Sequence, residues 1–235
     1  NLHQGPVRIG REINTFKLLP GVVITDNLLV NNALGGISLS GYQNVEFQPA
    51  PVPFARIINN TIVGSGVGTG IQISNNASPT LLNNIVADLE LGIDIDGSSS
   101  TTVIGGMVFA NNVTDATGTK GEFPIEINTI FGEPLFQDAA RGNYYLAAGS
   151  LAIDSAIDSI MERDEMHTLQ APLGIADSPI IVSNYDALGQ RRVDDPSVAT
   201  PTGLGHEVFK DRGAIDRADF IGPQAVIIDP LDNTP

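Results

Sequence analysis

Two aspartates stand two residues apart in the segment Gly-Ile-Asp-Ile-Asp-Gly, at positions 94 and 96. Side chains two residues apart on a β-strand point to the same face, so Asp94 and Asp96 would lie together, opposite Ile93 and Ile95. Two residues of strand span about 6.6 Å. Glycoside hydrolysis uses two carboxyl groups about 5 to 10 Å apart, one of them protonated, and Ca²⁺ binds carboxylate oxygens. The spacing allows a catalytic pair, a calcium site or two solvated acids; we favour the solvated acids.

The side chains around this pair set the limits of its chemistry. Gln72 and the earlier Ser38 occupy matching positions in related segments and would share the outward face, so Gln72, Asp94 and Asp96 are candidate ligand-binding residues. Residues 57–119 contain no Lys, Arg or His. A polysaccharide lyase needs a basic residue beside its metal, and a polygalacturonase-like hydrolase needs further acids, His and cations nearby. The absence of Lys, Arg and His from this stretch favours a non-catalytic face. Catalytic residues other than this weak pair stay unknown.

A second acidic group lies in the segment Glu-Arg-Asp-Glu-Met-His, which ends at residue 167. Asp164, Glu165 and His167 offer two carboxylates and an imidazole, donors that can bind a divalent cation. The segment lacks the His-Glu-x-x-His spacing of a zinc site. A solvated loop or short helix is the alternative, and we favour it over a metal site.

A third group mixes acidic and basic residues near the C-terminus. Its members are Asp186, Asp194, Asp195, Asp211, Asp216 and Asp219 with Arg191, Arg192, Arg212 and Arg217. The oxygen ligands would suit a Ca²⁺-organised cap. Arginine–carboxylate pairs that tie irregular chain to the preceding strands are the other interpretation. We favour the ion pairs, while Ca²⁺ stays a possible cofactor and no other cofactor is predicted.

Composition limits the class of protein that holds these residues. The chain has 235 residues, a formal charge of −15 and no Cys, which excludes disulfides, a thiolate nucleophile and Cys-ligated metal. The acidic charge argues against nucleic-acid partners, and no apolar run reaches the roughly 20 residues of a membrane helix. Residues 1–120 carry 5 basic and 8 acidic side chains (−3), and residues 121–235 carry 7 and 19 (−12). The two halves are therefore built differently.

The N-terminal half contains a repeat that predicts its architecture. Short apolar runs interrupted by Asn-Asn recur with a Gly-Ile-x-apolar segment, and Asn60 to Asn84 is 24 residues while Gly70 to Gly92 is 22. A period of 22 to 24 residues with short strands and no helix is typical of a β-solenoid. Asn tolerates the left-handed conformation at a corner, and stacked Asn amides can bond from coil to coil. The alternative is an antiparallel sandwich, which does not explain the repeat distance.

The Asn-Asn and Gly-Ile-x-apolar segments resemble the repeats of right-handed parallel β-helix proteins, which occur among bacterial surface and secreted proteins. Gly132-Glu133-Pro134-Leu135-Phe136, followed by an aromatic strand and Gly149-Ser150-Leu151-Ala152-Ile153-Asp154, is similar to the closing pattern of that family. The resemblance covers about residues 21–220. It implies an all-β, right-handed parallel β-helix with a loop-rich C-terminal cap. In that family, outward acids are where enzymes acting on polysaccharides place their catalytic or Ca²⁺-binding groups.

The expected organisation has four parts. Residues 1–20 form an N-terminal segment or incomplete coil, 21–130 the coils, 131–222 the closing strands and an acidic cap at the C-terminal end, and 223–235 a linker. The expected function is a non-catalytic structural or adhesion module, extracellular or on a bacterial surface. Its expected partners are a surface glycan, another protein or further modules of the same parent chain. The alternative is a fragment of a polysaccharide lyase or glycoside hydrolase.

Overall fold

The coils are built from three parallel sheets. A computed structural model describes residues 18–43, 52–118, 126–127, 130–132, 135–161, 171–174, 176 and 179–217. The strands are numbered along the chain. The first sheet contains β1 (Leu18–Thr25), β4 (Val52–Ile58), β7 (Thr80–Leu82), β10 (Val103–Gly105) and β13 (Glu126–Ile127). The second contains β2 (Leu28–Val30), β5 (Thr61–Val63), β8 (Ile85–Ala87), β11 (Val108–Ala110) and β14 (Ile130–Phe131). The third contains β3 (Gly35–Ser40), β6 (Thr69–Ser74), β9 (Leu91–Ile95) and β12 (Thr114–Gly118).

Each strand pairs with the strand one coil away, which confirms the predicted parallel β-helix. In the second sheet Thr61 lies opposite Ile85, and Ile85 lies opposite Val108. The separations are therefore 24 and 23 residues, the period predicted from the Asn and Gly spacing. Each coil visits the three sheets in turn and returns to the first, so the chain forms a parallel β-helix. Its hand is the right-handed one that parallel crossover connections adopt.

The first residue of the Asn-Asn pairs at 59–60 and 83–84 turns the chain from the first sheet to the second. Asn59 and Asn83 have φ values of 51° and 53°, and Asp26 and Gly106 take the same place in neighbouring coils with φ values of 54° and 61°. L-residues adopt this left-handed conformation at a cost that Asn, Asp and Gly bear best. The predicted corner role of Asn is confirmed here.

The second residue of each pair points inward and forms a ladder. The Nδ2 of Asn27 donates to Oδ1 of Asn60 at 2.9 Å, and the Nδ2 of Asn60 donates to Oδ1 of Asn84 at 3.0 Å. Backbone groups join the ladder, because the amide of Asn60 also donates to Oδ1 of Asn84 at 2.9 Å. Met107 occupies the next coil, 3.7 Å from Nδ2 of Asn84, and ends the amide ladder. The predicted coil-to-coil Asn bonding is confirmed.

A row of glycines lets the third sheet approach its neighbours closely. A Cβ on Gly70 would lie 2.6 Å from the carbonyl oxygen of Gly92 and 2.6 Å from Cγ1 of Val86. A real Cβ does not approach backbone that closely, so this position requires glycine. Inside the coils, stacked aliphatic side chains form the core, among them Ile57, Ile71, Leu81, Val86, Ile93 and Ile104.

The C-terminal part is loop-rich, as predicted, and lies along the side of the coils. Its regular elements are β15 (Phe136–Asp138), β16 (Asn143–Leu146), β17 (Ser159–Ile160), β18 (Ile180–Ile181) and the 3₁₀ turns Ala139–Arg141 and Ala171–Leu173. A further 3₁₀ turn, Gly97–Ser99, follows β9. Both pairs, β15–β16 and β17–β18, are antiparallel. We call the described residues between 135 and 217 the flank.

The flank covers the outer sides of the first and second sheets. Ile157 and Val182 of the flank pack on Ile58 and Leu82, and Leu146 and Ile153 pack in a second apolar cluster with Ile85 and Val108 of the second sheet. An acidic segment closing the C-terminal end of the helix was expected. The structure places it across the coils instead, because the outward side chains of β5, β8 and β11 are apolar or small and need covering.

Candidate functional site

The outward row of the third sheet brings the predicted site residues together. Ser38 lies opposite Gln72, Gln72 lies opposite Asp94, and Asp94 lies opposite Thr117. Ile93 and Ile95 point into the core, and Asp94 is half-buried on the other face. The predicted alternation is therefore confirmed for Asp94, and the fourth coil adds Thr117, which sequence analysis did not include.

Hydrogen bonds run along this row. The Oγ1 hydroxyl of Thr117 donates to Oδ1 of Asp94 at 2.8 Å. The hydroxyl of Ser38 lies 3.5 Å from Oε1 of Gln72, at the limit of a hydrogen bond. The row thus offers amide, hydroxyl and carboxylate groups to a ligand, and Asp94 keeps a second carboxylate oxygen for it.

Asp96 has a different environment from Asp94. Its Oδ1 accepts hydrogen bonds from the Ser98 amide at 3.0 Å, the Ser98 hydroxyl at 2.7 Å and the Ser99 amide at 3.0 Å. Its Oδ2 accepts from the Asn75 amide of the preceding coil at 2.7 Å. Burial acts to raise the pKa of Asp96, but these hydrogen bonds outweigh it and lower the pKa below its usual value. Asp96 therefore caps the turn Gly97–Ser99 as an ionised carboxylate.

This geometry bears on the chemistry that the pair can perform. A glycosidase pair needs one carboxyl group that holds a proton. The hydrogen bonds to Asp96 stabilise its charged form, which is the opposite of what a general acid requires. The catalytic and calcium assignments of Asp94 and Asp96 stay predictions.

The second predicted cluster cannot be placed. Asp164, Glu165 and His167 lie outside the described residues, so their metal-binding role stays a prediction. Within the part of the chain that the structure describes, no group of three His, Cys, Asp or Glu side chains could hold a metal ion. In the same residues, no helix is long and apolar enough to span a membrane.

In the C-terminal group, buried cations bond with carboxylates. Arg192 is 2% exposed, and its Nη2 donates to Oδ1 of Asp26 at 2.8 Å while its Nη1 lies 3.4 Å from Oδ1 of Asp216. Lys210, 1% exposed, bonds with Asp158 at 2.8 Å and with Glu207 at 2.7 Å. These contacts join the flank to the first coil and join its loops to one another.

Other members of this group bond in different ways. Arg217 pairs with Asp195. The buried guanidinium of Arg212 donates to the Ser155 carbonyl at 2.9 and 2.7 Å and to the Met107 carbonyl at 3.1 Å, and burial lowers its pKa to about 10. These bonds tie the flank to the fourth coil.

The flank also holds acids with a raised pKa. Burial raises the pKa of Asp154 to about 7, and the charges of Asp194, Asp195 and Asp216 add to the effect. Burial and the neighbouring Asp216 raise the pKa of Asp211 well above its usual value. The roles of four residues were not predictable from the sequence, because no local motif marks a residue whose partner lies tens of residues away; they are Asp26, Asp154, Asp158 and Lys210.

The coils and the start of the flank match a known family. Residues 19–148 match the family described as periplasmic copper-binding protein (NosD). That span is 130 of 235 residues, more than half of the chain. The chain belongs to the NosD family. The NosD match covers all three parallel sheets and ends just after β16. No curated protein and no solved structure matches the chain.

Proposed function

We propose that this chain is a non-catalytic structural or adhesion module of a larger bacterial protein, located in the periplasm or outside the cell. The NosD match at residues 19–148 carries the proposal, because that family is described as periplasmic. The absence of Cys is compatible with an oxidising compartment, where free thiols would be at risk.

The fold supports a structural role. In-register strands and the ladder of Asn27, Asn60 and Asn84 fix each coil against the next. The buried ion pairs of Arg192 and Lys210 fix the flank to the first coil and its loops to one another. Solenoid coils contact only their neighbours, and a stack of them forms an extended unit with long exposed faces. Such a unit separates and presents binding surfaces.

The described residues do not fit a copper site, although the name of the family includes copper binding. Copper favours imidazole, thiolate and thioether ligands. The chain has no Cys. Met107 is fully buried in the core beside Asn84, and Met161 and His206 stand on separate loops. We therefore assign no copper-dependent function to these residues.

Two measurements test the proposal. The natural parent protein, detected with an antibody to this chain, should appear in the periplasmic or extracellular fraction. Incubation with polygalacturonate, alginate and neutral glucans should give neither unsaturated nor reducing ends. Recovery of the parent from the cytoplasm would contradict the location. Turnover that disappears in Asp94→Asn would replace the structural role with the alternative of a polysaccharide-degrading enzyme.

A further inference from the structure

Exposed apolar side chains stand at the corner between the second and third sheets. Leu34 in the first coil is 93% exposed, Val67 in the second is 48% exposed, and Val113 in the fourth is 77% exposed. Glu90, also exposed, holds the corner in the third coil. Adjacent coils are about 4.8 Å apart, so the row extends about 14 Å along the helix. Removing such side chains from water by contact with a partner is favourable.

Carboxylates border this apolar row. Asp88 precedes Glu90 at the corner, and Asp94 follows on β9. Asp115 on β12 lies opposite Gly92, where a Cβ would lie 3.3 Å from Cδ1 of Phe109 in the core, so Asp115 faces the interior and does not belong to this surface. Its Oδ1 accepts a hydrogen bond from Asn112 at 3.0 Å. We call this surface the acidic face; its members are Leu34, Val67, Val113, Asp88, Glu90 and Asp94.

No cation neutralises the acidic face among the described residues. Residues 57–118 contain no Lys, Arg or His. The described ion pairs all involve cations of the flank, and their acidic partners are Asp26, Asp138, Asp158, Asp195, Glu207 and Asp216. Within the described part of the chain, the three carboxylates of the acidic face therefore present negative charge without a cationic partner, beside exposed aliphatic groups.

We propose that the acidic face docks a protein partner whose surface carries Lys or Arg side chains around aliphatic ones. The proposal rests on the proposed function, a module that acts by binding, and names the chemistry of its partner. Charge complementarity selects this occupant, since cationic groups attract the three carboxylates while aliphatic groups cover Leu34, Val67 and Val113. A second copy of this chain would bring its own acidic face, and like charges would oppose that contact.

A synthetic peptide tests the proposal directly. The probe is a fluorescein-labelled peptide of alternating Lys and aliphatic residues, Lys-Val-Lys-Leu-Lys-Val-Lys, and the control replaces every Lys by Glu. Fluorescence anisotropy at about 0.01 M salt, where the Debye length is about 30 Å, should show binding of the Lys peptide only. Raising the salt to about 0.15 M should weaken this binding, because the Debye length falls to about 8 Å. Absence of binding at low salt would overturn the proposal.

Matched variants locate the surface. Glu90→Lys should weaken binding about fivefold, as expected for loss of one attraction and gain of one repulsion at an exposed site. Asp194→Lys changes the net charge by the same amount at an exposed position of the flank and should change binding less than twofold. Equal losses in both variants would show that only net charge matters and would overturn the proposed face.

A second pair of variants tests the apolar part. Val113→Ser should weaken binding about threefold, because the peptide then covers less apolar area. Leu188→Ser removes a side chain that is 56% exposed on the flank and should leave binding unchanged. Equal binding by wild type and Val113→Ser would overturn the apolar contribution. Peptide binding and polysaccharide turnover are independent readouts, so failure of this inference is distinguishable from failure of the proposed function.

Discussion

The flank and the acidic face use the same residue, aspartate, in opposite ways. In the flank, Asp158, Asp195 and Asp216 are buried beside Lys or Arg, and Asp154 has its pKa raised to about 7 by burial. On the acidic face, Asp94 is half-buried and accepts a hydrogen bond only from Thr117 among the described residues. The comparison shows that acidic composition alone does not predict a role.

The difference follows from what each surface must cover. The flank packs on the apolar outer side of the second sheet, so its acids leave water and need cations, protons or backbone amides. The third sheet has polar outward positions, so its acids remain solvated and are available to a partner. The buried acids of the flank therefore contribute to stability, whereas the exposed acids of the acidic face can contact a partner.

The largest expected effect comes from removing a buried cation of the flank. Arg192→Met leaves Asp26 and Asp216 without their guanidinium partner in buried surroundings. Breaking a buried pair typically costs about 3–5 kcal/mol, and urea unfolding should show a loss of that size. Arg141→Met removes an arginine with 86% side-chain exposure and should cost less than about 0.5 kcal/mol. Similar losses in the two variants would break the comparison between buried and exposed charge.

The next effect is a pH dependence. Asp154 has a pKa of about 7 in the folded chain and an ordinary value of 3.8. Its contribution to stability is therefore fully present below about pH 4 and is lost as the pH rises to about 7, with a slope of at most about 1.4 kcal/mol per pH unit. Burial raises the pKa of Asp26, Asp211 and Asp216 as well, which acts in the same direction.

Asp154→Asn is the matched variant for this dependence. Asn resembles the protonated acid and tolerates the φ of 47° at this position. Unfolding free energies measured between pH 4 and pH 8 should fall less steeply in the variant than in the wild type. A wild-type free energy of unfolding that rises between pH 4 and pH 8 would contradict the raised pKa of Asp154.

A smaller effect distinguishes Asp94 from Asp96. Asp96→Ala removes the cap of the turn Gly97–Ser99 and its bond to the Asn75 amide. Loss of a cap costs about 1 kcal/mol, which thermal unfolding should detect. Asp94→Ala should cost less than about 0.5 kcal/mol, since only the Thr117 bond is lost. Equal losses would contradict the structural role given to Asp96.

The smallest effect concerns the charge of the acidic face. Asp94→Asn removes one negative charge from a chain of −15 and should change stability by less than about 0.5 kcal/mol. Asp195→Asn weakens the pairing with Arg217 and should cost about 1–3 kcal/mol. Both variants replace Asp by Asn, so chemical denaturation compares the acidic face and the flank with the same substitution. A larger loss for Asp94→Asn would reverse their assigned roles.

The coils were predictable because their determinants are local and repeated. Asn59 and Asn83 mark corners through their own conformational preference and stand 24 residues apart, and Gly70 and Gly92 recur 22 residues apart in the third sheet. Pairing in register then places Gln72 beside Asp94 without further information. Repetition turned a weak local signal into a strong prediction of the fold.

The flank was less predictable because its contacts are not local. The partner of Arg192 is Asp26, 166 residues away, and the partner of Lys210 is Asp158, 52 residues away. Nothing in the sequence near either residue specifies such a pair. Ion pairing was correctly favoured for this region, but sequence alone placed the segment at the end of the coils when it lies along their side.

The contact between Arg192 and Asp26 also determines the order in which the coils and the flank can fold. Each coil closes on the one before after 22 to 34 residues, whereas this contact closes a loop of 166 residues. Longer closures cost more entropy and form more slowly. During synthesis, Ile58, Leu82 and Ile85 therefore emerge long before the flank that covers them. Until residue 213 has left the ribosome and packed beside Ile85, the growing helix exposes an apolar side that other nascent chains can join.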